Sequence, residues 1–273
     1  MQKLFNNILL PVSLDSHALP IIEEAVEFSN QLNCNLHLIV TADISFSFIK
    51  TAFYNKDRYE FEIRKALREL HERVNFKLKE GLVLWTTYGS GDIQKLIADY
   101  SFQHQIDLIC LSHKKKSIPI LSNELDPSIL SDKSNCPILT LKHFPVEARK
   151  KNIVLPIGQS LPVNKLRVAS YLGRSFDSTI HLVSCKNKDN PPDEFTYLGK
   201  AYRVLKDYTD IPVVCNSFEG KNLNEIAFDY AKKINAGLIV MNPDPKPFFQ
   251  GFINRLLSGF YYNNPRIPVL TVT

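Results

Sequence analysis

The chain repeats itself. The stretch NILLPVSLDSHALPIIEEAVEFSNQLNCNLHLIV (7–40) lies over NIVLPIGQSLPVNKLRVASYLGRSFDSTIHLVS (152–184), with Asn7 on Asn152, Pro11 on Pro156, Ala25 on Ala169 and His37-Leu38 on His181-Leu182. A second block, IQKLIADYSFQHQIDLICL (93–111), lies over LNEIAFDYAKKINAGLIVM (223–241), with Tyr100 on Tyr230. The halves also close alike, CPILTL (136–141) against IPVLTV (267–272). Several matches in one order bind the two halves to one architecture, which constrains the fold more than any single motif does. The spacing between matched residues falls from 144 at His37/His181 to 130 at Tyr100/Tyr230, so the first half carries about fourteen extra residues between them. These lie near 47–81, which reads as a long amphipathic helix, with a shorter counterpart near 193–208. The domains expected are 1–145 and 150–273, joined by the short basic junction KHFPVEARKK (142–151).

Within each half the apolar pattern alternates between two periods. ILLPV and LHLIV are short continuous apolar runs, as parallel strands buried on both faces require. Between them Ala18, Ile21, Ile22, Ala25, Phe28 and Leu32 recur at helical spacing, with Asp15 or Ser16 placed to cap the helix. LVLWTTY (82–88), DLICLS (107–112) and CPILTLK (136–142) supply three more strands, and Ile93, Leu96, Ile97 and Tyr100 mark a further helix. The predicted fold class is α/β, with two tandem doubly wound parallel five-stranded sheets, because right-handed crossovers place helices on both faces. In such sheets ligands bind beyond the carboxyl ends of the strands where strand order reverses, here at the loops after Val12 and Leu111.

The opening NILLPVSLDS, the strand LHLIV, the YGSGDIQKLIADY…IDLICLS block and the closing CPILTLK resemble the universal stress protein family, over nearly the whole chain and in two copies. The resemblance implies a sheet of the adenine nucleotide α-hydrolase-like type in each copy. It also implies pairing of the copies through their last strands, PILTL (137–141) and PVLTV (268–272), as an intramolecular pseudo-dimer. Members that bind ATP carry an aspartate just after the first strand and a G-x2-G-x9-G-[ST] loop after the fourth. The carboxylate accepts a hydrogen bond from adenine, and the glycines let backbone amides crowd the phosphates.

This chain departs from both features in both halves. The aspartate position falls on Ser13 and on Gly158, and Asp15 comes two residues late. The first loop, SHKKKSIPILSNELDPSIL (112–130), has no glycine, and the second, NPDPKPFFQGFINRLLSG (242–259), sets Asn242 and Pro245 where the first two glycines belong. Only 10 glycines occur in the chain, so phosphate chemistry that depends on glycine is scarce. The expectation is a non-enzymatic stress-response binding or regulatory protein without standard ATP binding and without a cofactor. The alternative is an ATP- or AMP-binding stress switch with a non-standard phosphate loop. Any nucleotide pocket kept by the first half would draw on Pro11, Val12, Ser13, Ser112, His113, Lys114 and Lys115, the lysines acting as point charges on phosphate.

The remaining features point away from catalysis. YGSGDIQ (88–94) lacks the third glycine of a dinucleotide fingerprint and reads as a turn, with Asp92 or Ser90 capping the next helix. The seven histidines form no metal pattern, and His37 and His181 read as repeated strand residues. The five scattered cysteines form no CxxC pair and read as buried reduced thiols of a cytoplasmic protein. The opening MQKLFNNILLPVSLD has too short an apolar run for a secretory leader, and no stretch approaches a membrane span. A net charge of +5 is solvated surface more than a nucleic-acid footprint. The partners expected are therefore a protein or a second copy of the chain, with a small anion as the other candidate, and neither nucleic acid nor membrane. Phe248, Phe249, Phe252, Phe260, Tyr261 and Tyr262 cluster where the second phosphate loop would be, as pocket filling or as a docking surface.

Overall fold

The computed structural model describes residues 3–13, 18–41, 56–89, 91–112, 127–141, 152–186, 193–241 and 267–272. The chain divides into two compact units, Met1–His143 and Phe144–Thr273. The first contains β1 (Asn7–Ser13), α1 (Ala18–Leu32), β2 (Asn35–Thr41), α2 (Lys56–Asn75), β3 (Leu84–Gly89), α3 (Ile93–Gln103), β4 (Leu108–Ser112), α4 (Pro127–Ser134) and β5 (Ile138–Leu141). Its strands run in the order β3-β2-β1-β4-β5, all parallel. The second contains β6 (Asn152–Pro156), α5 (Val163–Ser175), β7 (Thr179–Lys186), α6 (Asp193–Tyr208), β8 (Val213–Glu219), α7 (Leu223–Lys233), β9 (Leu238–Met241) and β10 (Val269–Thr271). Its order, β8-β7-β6-β9-β10, repeats the first, again parallel throughout.

Burial follows the sequence periods. Ile8, Leu9 and Leu10 are all fully buried, so both faces of β1 are covered, and every apolar position expected on α1 from Ala18 to Leu32 is buried. Under α3 and α4, Leu9, Ile39, Ile97, Ile109, Leu130 and Ile138 close one apolar layer. Val154, Val183, Ala227, Phe228, Ile239 and Met241 close its counterpart under α7. Each such aliphatic side chain contributes roughly 1.5–3 kcal/mol on burial, so these layers hold the sheets to their helices. The long helix expected within 47–81 is seen from Lys56 to Asn75, and residues 42–55 lie outside those described. Its counterpart runs Asp193–Tyr208, as its spacing predicts. Residues 14–17, with both expected caps of α1, are likewise outside the described residues. No helix among the described residues is long and apolar enough to cross a membrane.

The scarcity of glycine shows at the helix ends. Five helices are followed by a left-handed residue that is not glycine: Asn33, Gln105, Asn135, Asp177 and Asn235, with φ between 49° and 53°. Asparagine and aspartate tolerate this region through local hydrogen bonds, whereas glutamine has no such compensation. Gln105→Gly is expected to raise stability by about 0.5–1 kcal/mol, read as a shift in the urea midpoint at unchanged slope. A lower midpoint would show that the Gln105 side chain holds the turn. At the other ends, Asp92 accepts from the Lys95 amide and Asn222 from the amides of Asn224 and Glu225, so matching residues cap α3 and α7. The segment expected to be a capped turn is therefore one: Gly91 takes φ +99° and Asp92 caps.

Candidate functional site

The backbone opens a crevice in each unit. Strand β1 pairs with β2 along its whole length, Asn7↔Asn35 to Ser13↔Thr41, but with β4 only at Ile8↔Leu108 and Leu9↔Ile109. Beyond Leu9 the two strands run on unpaired with each other, β1 to Ser13 and β4 to Ser112, while β4 keeps its pairing with β5. The second unit repeats this. Strands β6 and β9 pair at Ile153↔Leu238 and Val154↔Ile239 and then separate, although β6 stays paired with β7 to Pro156↔Val183. The strands on either side of this gap belong to crossovers that leave in opposite directions, which is why the opening falls there.

In the first unit the structure brings the expected residues to that opening as far as it describes them. Pro11 and Val12 are buried in the last turns of β1, and the backbones of Ser13 and Ser112 end the two diverging strands. His113, Lys114 and Lys115 lie outside the described residues, as does the aromatic cluster from Phe248 to Tyr262.

The second unit places a residue there that the motif search passed over. Lys165, in the first turn of α5, is only 6% exposed, and its Nζ donates to the carbonyl oxygen of Pro156 at 2.9 Å. Pro156 is the last residue of β6, so this ammonium sits at the mouth of the crevice. Burial holds the lysine down at about 8, from an ordinary 10.5. A signal for it existed. Lys165 occupies the apolar face of its helix, one turn before Val168 and Ala169, and the repeat that sets Ala25 on Ala169 sets Ile21 on Lys165.

The repeated histidines and tyrosines meet at the other end of each sheet, near the strand starts. His37 Nδ1 lies 2.9 Å from the Tyr100 hydroxyl, and His181 Nδ1 lies 2.9 Å from that of Tyr230. In the second unit the donors can be ordered. The Asn152 side chain donates to the Ile234 carbonyl, so its oxygen faces His181 Nε2 at 2.8 Å and requires a proton there. Nδ1 of a neutral His181 is then the acceptor from Tyr230, whose oxygen in turn accepts from Asn216 at 2.8 Å. Burial lowers the His181 pKa and so favours this neutral form. Tyr230→Phe strands both His181 Nδ1 and Asn216, and a loss of about 1–3 kcal/mol is expected in urea unfolding; an unchanged midpoint would mean that water replaces the hydroxyl.

The first unit lacks one link of this chain. Asn7 stands where Asn152 does, but its oxygen accepts from Asn35 at 3.0 Å, and His37 Nε2 is left buried without a hydrogen-bond partner among the described residues. His37 instead stacks on Trp85, with ring centroids 4.3 Å apart. Both histidines therefore act within the fold, consistent with their reading as strand residues. One expectation needs correcting: Cys34, Cys110, Cys136 and Cys185 are buried, but Cys215 is exposed, because it lies on β8, the last strand of its unit's sheet, where one side has no neighbouring strand among the described residues.

No family model matches the sequence, and no curated protein matches it. Solved structures do match in fold. A universal stress protein from Archaeoglobus fulgidus DSM 4304 gives a TM-score of 0.71 at 15% identity, covering 98% of this chain and 96% of that one. A protein of unknown function from Pseudomonas aeruginosa PAO1 gives 0.58 at 16% identity, covering 99% and 93%. The cytoplasmic domain of a prokaryotic cation chloride cotransporter gives 0.51 at 11% identity, covering 98% and 95%. The strand order and the two crevices define a tandem, doubly wound α/β protein. Its fold is that of the universal stress proteins, and the matches run the length of the chain. The cotransporter domain shows that this fold also serves in other settings, so function must be argued from the crevices.

Proposed function

We propose that the protein is a universal stress-type binding or regulatory protein of the cytoplasm that works without catalysis and without the standard ATP site. The observation that carries this reading is what stands at the two crevice mouths. The positions at which ATP-binding members have an aspartate hold Ser13 and Gly158; the loop after β4 has no glycine, and that after β9 sets Asn242 and Pro245 where the first two phosphate-loop glycines belong. Packing leaves room for a side chain to begin at the second position: a Cβ on Gly158 would stand 3.6 Å from Leu223 Cδ2, an ordinary contact. Regulation would then run through protein contacts or through another small ligand. Phe76 and Phe102, 91% and 87% exposed, support the first of these routes.

The test is mass spectrometry of whatever the gently purified protein releases on denaturation, followed by calorimetric titration with Mg-ATP. An empty protein that gives no heat at about 1 mM ATP is the expected result. Stoichiometric adenine nucleotide, or a Kd in the micromolar range, would overturn the reading.

A further inference from the structure

We infer that the crevice of the second unit is built to hold an anion, a phosphoryl or carboxylate group of a small molecule, with Lys165 as its charged anchor. The inference deepens the binding role proposed above, on which it rests, by naming the unit and the charge of the ligand.

The first argument is an internal control. Ile21, at the matching place in α1, is 3% exposed, so the fold itself asks only for an apolar side chain there. An ammonium at the same depth is strongly disfavoured by its lost hydration unless something compensates it. One carbonyl, that of Pro156, is the only partner of Lys165 Nζ among the described residues, and it meets one of three N–H donors. Among the described residues nothing negative is seen to offset the charge either. No acidic residue lies in the first turn of α5, and its N-cap, Pro162, supplies no side-chain acceptor, so the positive end of the helix adds to the lysine. The matching end of α7 is treated differently, with Asn222 as cap and Glu225 in its first turn.

The second argument comes from β7 and β8. Ile180 faces α5, since a Cβ on Gly173 would meet its side chain at 3.4 Å, and Ser184 lies four residues along the same face. Ser184, 1% exposed, pairs with Ser217, whose Oγ is buried without a hydrogen-bond partner among the described residues. Both serines stand one register step beyond Pro156↔Val183, toward the carboxyl ends. An under-satisfied ammonium and an orphaned hydroxyl thus share one face and one end of the sheet, two strands apart; an oxyanion satisfies the charge of the first, and a polar group elsewhere on the same ligand can accept from the second.

The test uses the full chain and the variant Lys165→Ile, which copies the first unit and so is expected to fold. Inorganic phosphate, citrate and AMP are titrated into each by calorimetry. Saturable binding of at least one probe to the wild type, weakened about tenfold or more in Lys165→Ile, is the expected result. Bound anion raises the lysine's proton affinity, so at about pH 8.5 the wild type should take up protons on binding, and the variant none. Lysine-independent binding, or no saturable binding of any probe up to about 10 mM, overturns the inference. Mg-ATP added to the series separates it from the reading above. ATP bound through Lys165 would sink the ATP-free reading alone, ATP bound without it would sink both, and phosphate or citrate without ATP supports both.

Discussion

Lys165→Ile is expected to stabilise the ligand-free protein by about 3 kcal/mol at neutral pH. The folded protein holds this lysine at about 8, against an ordinary 10.5, because burial disfavours its charged form. Below about pH 8 the lysine is charged in both folded and unfolded chains, so the folded state bears the whole penalty. Between 8 and 10.5 the folded lysine sheds its proton while the unfolded one keeps it, so wild-type stability rises with pH. Above that window both forms are neutral and the variant's advantage disappears. Urea unfolding of both proteins from about pH 7 to 11 measures the difference directly. A difference that stays flat across that range would show that Lys165 reaches water, and the anion inference would lose its main support. With a saturating anion present the variant's advantage at neutral pH should shrink, since the ligand stabilises the wild type more than the variant.

Acid should destabilise the first unit through His37. Burial, with a smaller contribution from His104, holds this imidazole at about 4, from an ordinary 6.5. The unfolded chain therefore takes up a proton as pH falls through 6.5, the folded chain does not until about 4, and stability is lost across that window. Geometry explains why the charged form is disfavoured. Imidazolium donates from both nitrogens, yet Nε2 has no acceptor and Nδ1 meets only the Tyr100 hydroxyl. The stacked Trp85 is 39% exposed, so water lies close, and a loss of about 2 kcal/mol by pH 4 is the appropriate scale. His181, lowered in the same direction, adds to the effect with the same sign. His37→Leu should flatten the acid limb of the stability curve, and the His37 ring signal in an NMR titration should move only near pH 4. A ring that titrates near 6.5 would contradict the argument.

The inner strands were legible because they are buried on both faces, so their apolar runs are continuous and their repetition can be seen by eye. The carboxyl-end location of the crevices followed from topology alone. Partnerships between distant residues were less visible. His37/His181 and Tyr100/Tyr230 each stood out as repeated positions, but 63 and 49 residues separate the members of the two pairs. Only the packing of α3 on β2, and of α7 on β7, brings them together. Lys165 escaped for a different reason. A lysine on a helix is ordinarily solvated, and its unusual place emerges only when the repeat sets it against Ile21. Cys215 was misjudged because a thiol within an apolar run does not reveal whether its strand has neighbours on one side or two.

The gap between β1 and β4, and between β6 and β9, arises from the direction in which the chain leaves each strand. No side chain is needed to make it. A duplicated ancestor could therefore surrender one cargo, let its glycines drift, and acquire another in only one copy, all without rebuilding the scaffold. Ile21 and Lys165, buried at matched positions, show that the same scaffold accepts either an apolar or a charged side chain there.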